Sequence, residues 1–145
     1  KKIPSSKSMI VAPQPEAVET GIGILKSGGN AIDAVLATAL TQGVVDPLMC
    51  GIGGLGIMHV HNTATNESIV FDGLSRCPIA VKPNIWEASF KRECADGYGY
   101  EIEGAYNEFG HQSVTTPSIL KLLHGVHQKY GKLNWKVQKK WCSIK

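Results

Sequence analysis

Three glycines in residues 49–61, MCGIGGLGIMHVH, follow the G-x-G-x-x-G spacing of dinucleotide-binding loops: Gly51, Gly53 and Gly56. In such a loop a strand precedes the glycines and a helix follows, because the helix N-terminus receives the pyrophosphate. Here a helix-like segment comes first, and a strand-like segment containing Ile57 and Val60 follows. This order argues against a dinucleotide site. We predict instead that the glycines, with Gly54, form a structural loop where the backbone turns tightly and approaches its neighbours.

Two histidine pairs have spacings that place both rings on one face of an element. His59 and His61 share a strand face and could supply two ligands to a metal ion. Cys50 is the one further candidate ligand nearby, and polar positions on the outer face of a hairpin explain the pair as well. His124 and His127 share a helix face and are expected at the surface. The sequence therefore predicts no metal site and no cofactor.

The cysteines are widely and irregularly spaced, at Cys50, Cys77, Cys94 and Cys142. Without a C-x-x-C pair, neither a zinc site nor a thioredoxin-type motif has support. We expect free thiols in a reducing compartment. The basic first residues are followed by no apolar stretch of the kind found in signal peptides. These features favour the cytoplasm.

The composition is that of an ordinary globular domain, with 43% hydrophobic and 19% charged residues among 145. Part of the net charge of +3 comes from lysines in residues 132–145, which we interpret as a solvated tail. A nucleic-acid-binding face would combine basic and aromatic residues, so no nucleic-acid partner is expected. No apolar run approaches the roughly 20 residues that span a bilayer, so no membrane span is expected in this chain.

The first predicted elements precede the glycine loop of residues 51–56 in the chain. Residues 9–12, MIVA, are predicted to form a short buried strand. A helix should follow, with Pro15 suited to its first position and Gly28 near its end. Gly21, in the middle of this segment, would allow close packing against a neighbouring element.

A second helix is predicted over residues 31–45, with Asn30 as its N-cap. It is apolar around nearly its whole circumference and is therefore expected to be buried between layers. Two apolar-rich runs then flank a short polar turn, residues 55–63 and 68–73, and predict a β-hairpin. Helices packed on an antiparallel hairpin make the predicted fold class α+β.

The second half of the chain is less regular. Residues 93–112 are rich in glycine and tyrosine without a helical period, so a long exposed loop is expected. Thr116 and Pro117 are interpreted as the start of another helix, residues 118–131, with an apolar face formed by Ile119, Leu122, Leu123 and Val126. Residues 132–145 begin like a further helix.

Several of these segments together resemble the beginning of the γ-glutamyltranspeptidase family. Residues 11–40 are similar to its A-x-x-x-P-x-A-x-x-x-G-x-x-I-L-x-x-G-G-N-A-x-D-A-A-V-A pattern. Residues 43–47 and 51–60 are similar to G-V-V-E-P and G-I-G-G-G-G-F. The resemblance resumes at residues 113–135, similar to V-P-G-x-V-x-G-x-x-x-x-H-x-x-Y-G-x-L-x-W. Residues 136–145 depart from the family pattern, which agrees with a truncation or a change of reading frame.

The resemblance implies an N-terminal-nucleophile hydrolase with a four-layer αββα sandwich. In that family the precursor cleaves itself, and the freed N-terminal threonine attacks an amide with its own α-amine as base. This threonine belongs to the small subunit, beyond the present chain, so Thr115 and Thr116 are expected to be capping residues. Residues 1–145 would then be one partial domain, the N-terminal segment of the large subunit, with an atypical tail at 137–145.

The resemblance also implies a binding site for the α-carboxylate of the substrate. The family holds it with an arginine in D-x-R-E-x-A-P, whose planar guanidinium binds a carboxylate through two hydrogen bonds. Here Asp72 and Pro78 fix the register, and Leu74 occupies the arginine position. Arg76 lies two residues later, about 6.5–7 Å along an extended chain. Arg76 is either a ligand for a differently placed anion or a solvent-facing loop residue.

The expected function follows from the family. The complete enzyme would hydrolyse or transfer γ-glutamyl groups, as in glutathione metabolism, or related amide groups such as those of the acylase and oxamate-amidohydrolase branch. Its partners would be the small-subunit segment of the same precursor and a small amide substrate. The chain alone is expected to be inactive, and a non-catalytic fragment is the alternative. We also expect the isolated chain to expose apolar surface and to self-associate.

Overall fold

A computed structural model describes residues 8–136. The regular elements, in chain order, are α1 (Pro15–Lys26), α2 (Ala31–Val45), β1 (Gly56–Asn62), β2 (Glu67–Gly73), β3 (Phe90–Glu93), β4 (Tyr100–Ile102) and α3 (Ile119–Tyr130). They form two compact units: the first runs up to Leu74 and resumes at Pro117, and the second is Ser75–Thr116. Residues 137–145 lie outside the described part, so their assignment as an atypical tail stays a prediction, as does the single partial domain.

α1 begins and ends where the sequence predicts. Pro15 takes the first helical turn, where its missing N–H costs nothing, and Glu16 adds a negative charge at the positive end of the helix dipole. Beyond Lys26 the chain turns through Gly28, whose φ of +88° suits a residue without a side chain. Gly21 faces α2 so closely that a Cβ there would overlap with Thr38 Oγ1.

α2 is fixed at its start by a reciprocal capping box, and the prediction of Asn30 as its N-cap is confirmed. Asp33 N–H donates to Asn30 Oδ1 at 2.9 Å, and Asn30 N–H donates to Asp33 Oδ2 at 2.9 Å. One side of α2 packs against α1, where Ala34 and Ala37 are fully buried. The described residues leave another side open, since Val35 and Val44 are exposed. The expected burial on all sides is therefore only partly present.

The core of the first unit forms around Ile24, Ala34 and Ala37, with Ile10 and Leu133 packed against it. Residues 9–12 form no strand, so the predicted opening strand is wrong. A strand requires a hydrogen-bonded neighbour, and none is present for this segment among residues 8–136. Within this segment Ile10 packs against the core, whereas Met9 and Val11 are exposed.

β1 and β2 form the predicted antiparallel hairpin, with Met58 opposite Phe71 and Val60 opposite Ile69. These four side chains share the less exposed face. Phe71 makes an edge-to-face contact with Tyr130 of α3 at 5.9 Å between ring centroids. No helix within residues 8–136 is long and apolar enough to cross a membrane.

The second unit contains a small hairpin that the sequence analysis missed. β3 pairs antiparallel with β4, and Arg92 donates two hydrogen bonds to Glu101, from Nε at 2.9 Å and Nη2 at 2.7 Å. The turn between them includes Gly97, with φ of +73°. The expectation of a long loop over residues 93–112 is therefore wrong for its first part. The strands are too short for their alternation to be read from the sequence.

Candidate functional site

The glycine loop joins α2 to β1 and anchors the start of α3. Gly54 N–H donates to Gly51 O at 3.1 Å and closes a tight turn. Gly54 O in turn accepts the N–H groups of Ser118 at 3.2 Å and Ile119 at 3.1 Å, two donors that a helix start leaves without partners. A Cβ on Gly56 would lie 2.9 Å from Ile119 Cδ1. Gly54 and Gly56 thus allow a close backbone approach.

The other two glycines are not confined in the same way. A Cβ on Gly51 or Gly53 would meet no atom within 4 Å among the described residues. Neither residue adopts a positive φ. The side of the loop formed by these two glycines is therefore open, and nothing in the described fold requires a glycine there.

The N-cap of α3 is Ser118, so the interpretation of Thr116 as the capping residue is wrong. Ser118 Oγ donates to Gly73 O at the end of β2, which joins the start of α3 to the hairpin. Thr116 belongs to the second unit, where its N–H donates to Arg76 O at 2.9 Å. This backbone pairing holds Thr116 in an extended bridge, outside the helix.

A side-chain-supported turn follows β2. Leu74 N–H donates to Asp72 Oδ1 at 2.9 Å, the local hydrogen bond with which aspartate often ends a strand. Leu74 is 46% exposed. An apolar group thus stands where the family pattern has its carboxylate-binding arginine.

Arg76 lies in the second unit, with an exposed side chain. Its backbone is held by Thr116, while no carboxylate within residues 8–136 forms an ion pair with its guanidinium. A fixed backbone with an unpaired cationic head suits the binding of an anion from solution. The geometry is equally that of a solvated surface arginine, so its role as a ligand stays a prediction.

The histidine pairs differ in their surroundings. His59 and His61 lie on the exposed face of β1, and His61 Nδ1 lies 2.9 Å from Ser68 Oγ. Within the described residues no three histidine, cysteine or acidic side chains come together as a metal site would require. His124 is exposed as expected, but His127 is only 8% exposed, so the surface assignment of His127 is wrong.

His127 belongs to a buried polar junction around Asp33. His127 Nε2 lies 2.9 Å from Leu133 O, which can only accept, so this nitrogen carries the proton. The same atom lies 3.6 Å from Asp33 Oδ1. The Asp33 carboxylate is fully buried and also accepts the N–H groups of Lys132 and Leu133, each at 3.2 Å. This junction connects the start of α2 to the chain beyond α3.

The profile of the family described as Gamma-glutamyltranspeptidase matches residues 17–138. The chain belongs to this family. Its members are hydrolases and transferases. The match includes α1 from Ala17 onward, the capping box of α2, the glycine loop, the hairpin and α3, so the family assignment made from the sequence is confirmed.

Two curated relatives illustrate the range of the family. The glutathione hydrolase proenzyme of Bacillus subtilis (strain 168) is 32% identical over 123 residues, 85% of this chain and 20% of the relative. The acylase ACY 1 proenzyme of Pseudomonas sp. (strain SE83) is 33% identical over 118 residues, 80% of this chain and 20% of the relative. The chain thus spans about a fifth of the length of these relatives.

The fold also agrees with a solved structure. The chain is similar to the gamma-glutamyltranspeptidase of Pseudomonas nitroreducens, with a TM-score of 0.78 and 27% identity, covering 93% of this chain and 37% of the other. The predicted fold class, α+β as part of an N-terminal-nucleophile hydrolase, is confirmed by this likeness.

Proposed function

We propose that the chain supplies the N-terminal part of the large subunit of an enzyme that hydrolyses or transfers γ-glutamyl groups or related amide groups. The nucleophile is a threonine on another segment of the same precursor, freed by cleavage, with its own α-amine as general base. Two relatives are named as proenzymes, one a glutathione hydrolase and one an acylase, which supports an amide substrate and a precursor. Without the nucleophile the chain itself is inactive.

The observation that carries the choice of substrate is the turn at Leu74. Its N–H is bound by Asp72, and its side chain offers neither charge nor a hydrogen-bond donor to an α-carboxylate. Selection for γ-glutamyl substrates is then weak, unless the guanidinium of Arg76 binds the carboxylate instead. This favours a second candidate function, the hydrolysis of acyl or oxamate-type amides.

The first test is to sequence the transcript across the codons for residues 135–145 and onward. A reading frame that continues to a processing site followed by threonine supports the enzyme. A stop codon directly after Lys145 supports the alternative, a fragment that records ancestry and does not catalyse.

The second test measures selection for the α-carboxylate in the polypeptide that the transcript encodes. The paired substrates are γ-glutamyl-p-nitroanilide and 4-aminobutyryl-p-nitroanilide, which differ only by that carboxylate. For the wild-type polypeptide we expect kcat/KM values for the two substrates within about tenfold of each other. Leu74→Arg should increase the preference for the γ-glutamyl substrate, because a bidentate pair with the carboxylate adds about 1.5–3 kcal/mol. Arg76→Gln tests whether Arg76 is a ligand for the carboxylate or a solvent-facing loop residue: only a ligand should lose γ-glutamyl preference on substitution. A strong wild-type preference for the γ-glutamyl substrate that survives Arg76→Gln would contradict the proposed importance of position 74.

A further inference from the structure

The hydroxyl group of Ser118 makes an unusual contact for a helix N-cap. Ser118 is the N-cap of α3, a position where a serine side chain commonly accepts an N–H group of the first helical turn. Among the described residues no such bond forms. Ser118 Oγ instead donates to the carbonyl oxygen of Gly73, 45 positions earlier in the chain. The side chain therefore acts on the end of β2 and not on its own helix.

The peptide unit between Gly73 and Leu74 is held at both edges. Its C=O accepts the hydroxyl of Ser118, and its N–H donates to Asp72 Oδ1 at 2.9 Å. The C=O and N–H groups of a planar trans peptide point in opposite directions, so the two side chains restrain opposite edges of one plane. Rotation of the plane would break both hydrogen bonds. The direction in which the side chain of residue 74 leaves the backbone is therefore fixed.

Ser118 is itself held in place by the glycine loop. Its N–H donates to Gly54 O at 3.2 Å, and the N–H of Ile119 donates to the same oxygen at 3.1 Å. Gly73 lies directly against α3, because a Cβ there would be 2.7 Å from Leu122 Cβ. All these residues belong to the first unit. The hydroxyl donor is thus anchored through the backbone before it reaches Gly73.

Ser118 and Leu74 are both departures from the family patterns. In V-P-G-x-V-x-G-x-x-x-x-H-x-x-Y-G-x-L-x-W, Pro117 and Trp135 fix the register, and Ser118 stands at the first glycine. In D-x-R-E-x-A-P, Leu74 stands at the arginine. Because glycine has no hydroxyl, the pattern offers no counterpart of the bond to Gly73 O. The two departures are distant in the chain, and the structure brings them to the same peptide unit.

We propose that Ser118 is a second determinant of substrate selection, a positioning residue that acts through residue 74. Its hydroxyl holds residue 74 in an orientation that the family pattern, with glycine at this position of α3, does not impose. Leu74→Arg alone therefore restores only part of the selection for an α-carboxylate, and release of the peptide unit restores more. The inference rests on the proposed function, in which residue 74 selects between γ-glutamyl and other amide substrates.

The first experiment is a double-mutant cycle in the polypeptide that the transcript encodes. Its readout is the ratio of kcat/KM for γ-glutamyl-p-nitroanilide to kcat/KM for 4-aminobutyryl-p-nitroanilide. We expect Leu74→Arg to raise this ratio about fivefold more in the Ser118→Gly background than in the parent, the effect of releasing one hydrogen bond. The added gain should appear in the KM of the γ-glutamyl substrate, because the carboxylate is bound before the reaction. Ser118→Thr keeps the hydroxyl and should keep the smaller gain.

A matched control removes a hydrogen bond of the same kind elsewhere in the first unit. Ser27 Oγ donates to Gly23 O at 2.9 Å at the end of α1, and Ser27→Ala should leave the gain from Leu74→Arg unchanged. An equal or smaller gain in the Ser118→Gly background would overturn the proposal while the proposed function stands. Glycine is an accepted N-cap and is the residue of the family pattern, so Ser118→Gly is expected to fold. Ser118→Ala provides a second variant without the hydroxyl.

The second experiment needs no enzymatic activity and uses the 145-residue chain. Hydrogen exchange of the Leu74 amide, followed by NMR, measures how firmly the peptide unit is held. Ser118→Gly should accelerate this exchange about fivefold relative to the amides of α2, whereas Ser27→Ala should not. Equal acceleration of all these amides would show a general loss of stability and overturn the role of Ser118. If the encoded polypeptide cleaves neither substrate, the proposed function fails, and this exchange rate alone decides whether Ser118 holds residue 74.

Discussion

The carboxylate of Asp33 accepts the backbone N–H of Leu133 at 3.2 Å, although the two residues lie 100 positions apart in the chain. The same carboxylate closes the capping box at the start of α2. One side chain therefore caps the start of a helix locally and holds a distant segment. Asn30 strengthens this connection, since its Nδ2 donates to Tyr130 O at 2.7 Å.

Removal of the Asp33 carboxylate should destabilise the first unit severely. Asp33→Ala leaves the N–H groups of Asn30, Lys132 and Leu133 without their acceptor, and we expect the free energy of unfolding to fall by about 3 kcal/mol or more. Asp33→Asn retains one acceptor oxygen and should have a smaller effect. Urea denaturation measures the loss. The control Glu19→Gln, on the exposed side of α1, should stay within about 0.5 kcal/mol of the parent.

A second readout tests whether the loss arises at this junction. In Asp33→Asn the amides of Lys132 and Leu133 should exchange with deuterium faster than in the parent. If both amides keep their protection while the free energy of unfolding falls, the effect of Asp33 lies in the capping box alone.

Gly21→Ala should destabilise the contact between α1 and α2. The added Cβ would overlap with Thr38 Oγ1 and lie 3.2 Å from Ile10 Cγ2, so the helices must separate. In an open helical site the same substitution stabilises by about 0.5–1 kcal/mol. Gly125 of α3 is such a site, because a Cβ there meets nothing within 4 Å. Thermal unfolding of Gly21→Ala and Gly125→Ala should therefore show shifts of opposite sign.

A double substitution identifies the cause of the Gly21→Ala effect. Thr38→Ala removes the overlapping oxygen and should recover part of the loss in the Gly21→Ala background. Simple additivity of the two changes would contradict a direct steric conflict between these positions.

The parts of the fold predicted from the sequence are those specified by local chemistry. Asn30 before an apolar segment defines the start of α2, and two apolar runs around a short turn define the β1–β2 hairpin. Pro15 defines the start of α1 in the same way. Each signal depends on residues a few positions apart, so one sequence suffices to detect it.

The missed features depend on distant residues. The spacing of His124 and His127 is that of a helix surface, and it gives no sign that Leu133 and Asp33 contact His127. The N-cap position of Asn30 was visible, but the contact of Asp33 with Leu133 was not. Residues 9–12 have the composition of a strand, yet they lack a partner in the described part of the chain. For the candidate site, the substitution at Leu74 was visible from the motif register, whereas the hydrogen bond from Leu74 N–H to Asp72 required coordinates.

The cysteines should differ in their reactivity. Partial burial, followed by the charge of Asp96, raises the pKa of the Cys94 thiol. Because the thiolate is the reactive form, Cys94 should react with iodoacetamide more slowly than the exposed Cys77 at pH 7.5. Peptide mass spectrometry measures both rates in one sample. Asp96→Asn should accelerate Cys94 and leave Cys77 unchanged; equal acceleration of both would indicate a general opening of the second unit.

The Arg92–Glu101 pair should make the β3–β4 hairpin sensitive to acid. The hydrogen bond from Arg92, and then its charge, hold the pKa of Glu101 below the ordinary glutamate value. At pH values above the ordinary glutamate pKa, the ionised pair therefore stabilises the hairpin. This contribution is lost as the pH falls through the lowered pKa of Glu101. Carbon-13 NMR titration of the Glu101 carboxyl should show a low midpoint that rises in Arg92→Gln. Lys91→Gln removes a neighbouring charge without the hydrogen bond and should raise the midpoint less. Equal shifts in the two variants would assign the effect to charge alone and contradict the bidentate geometry.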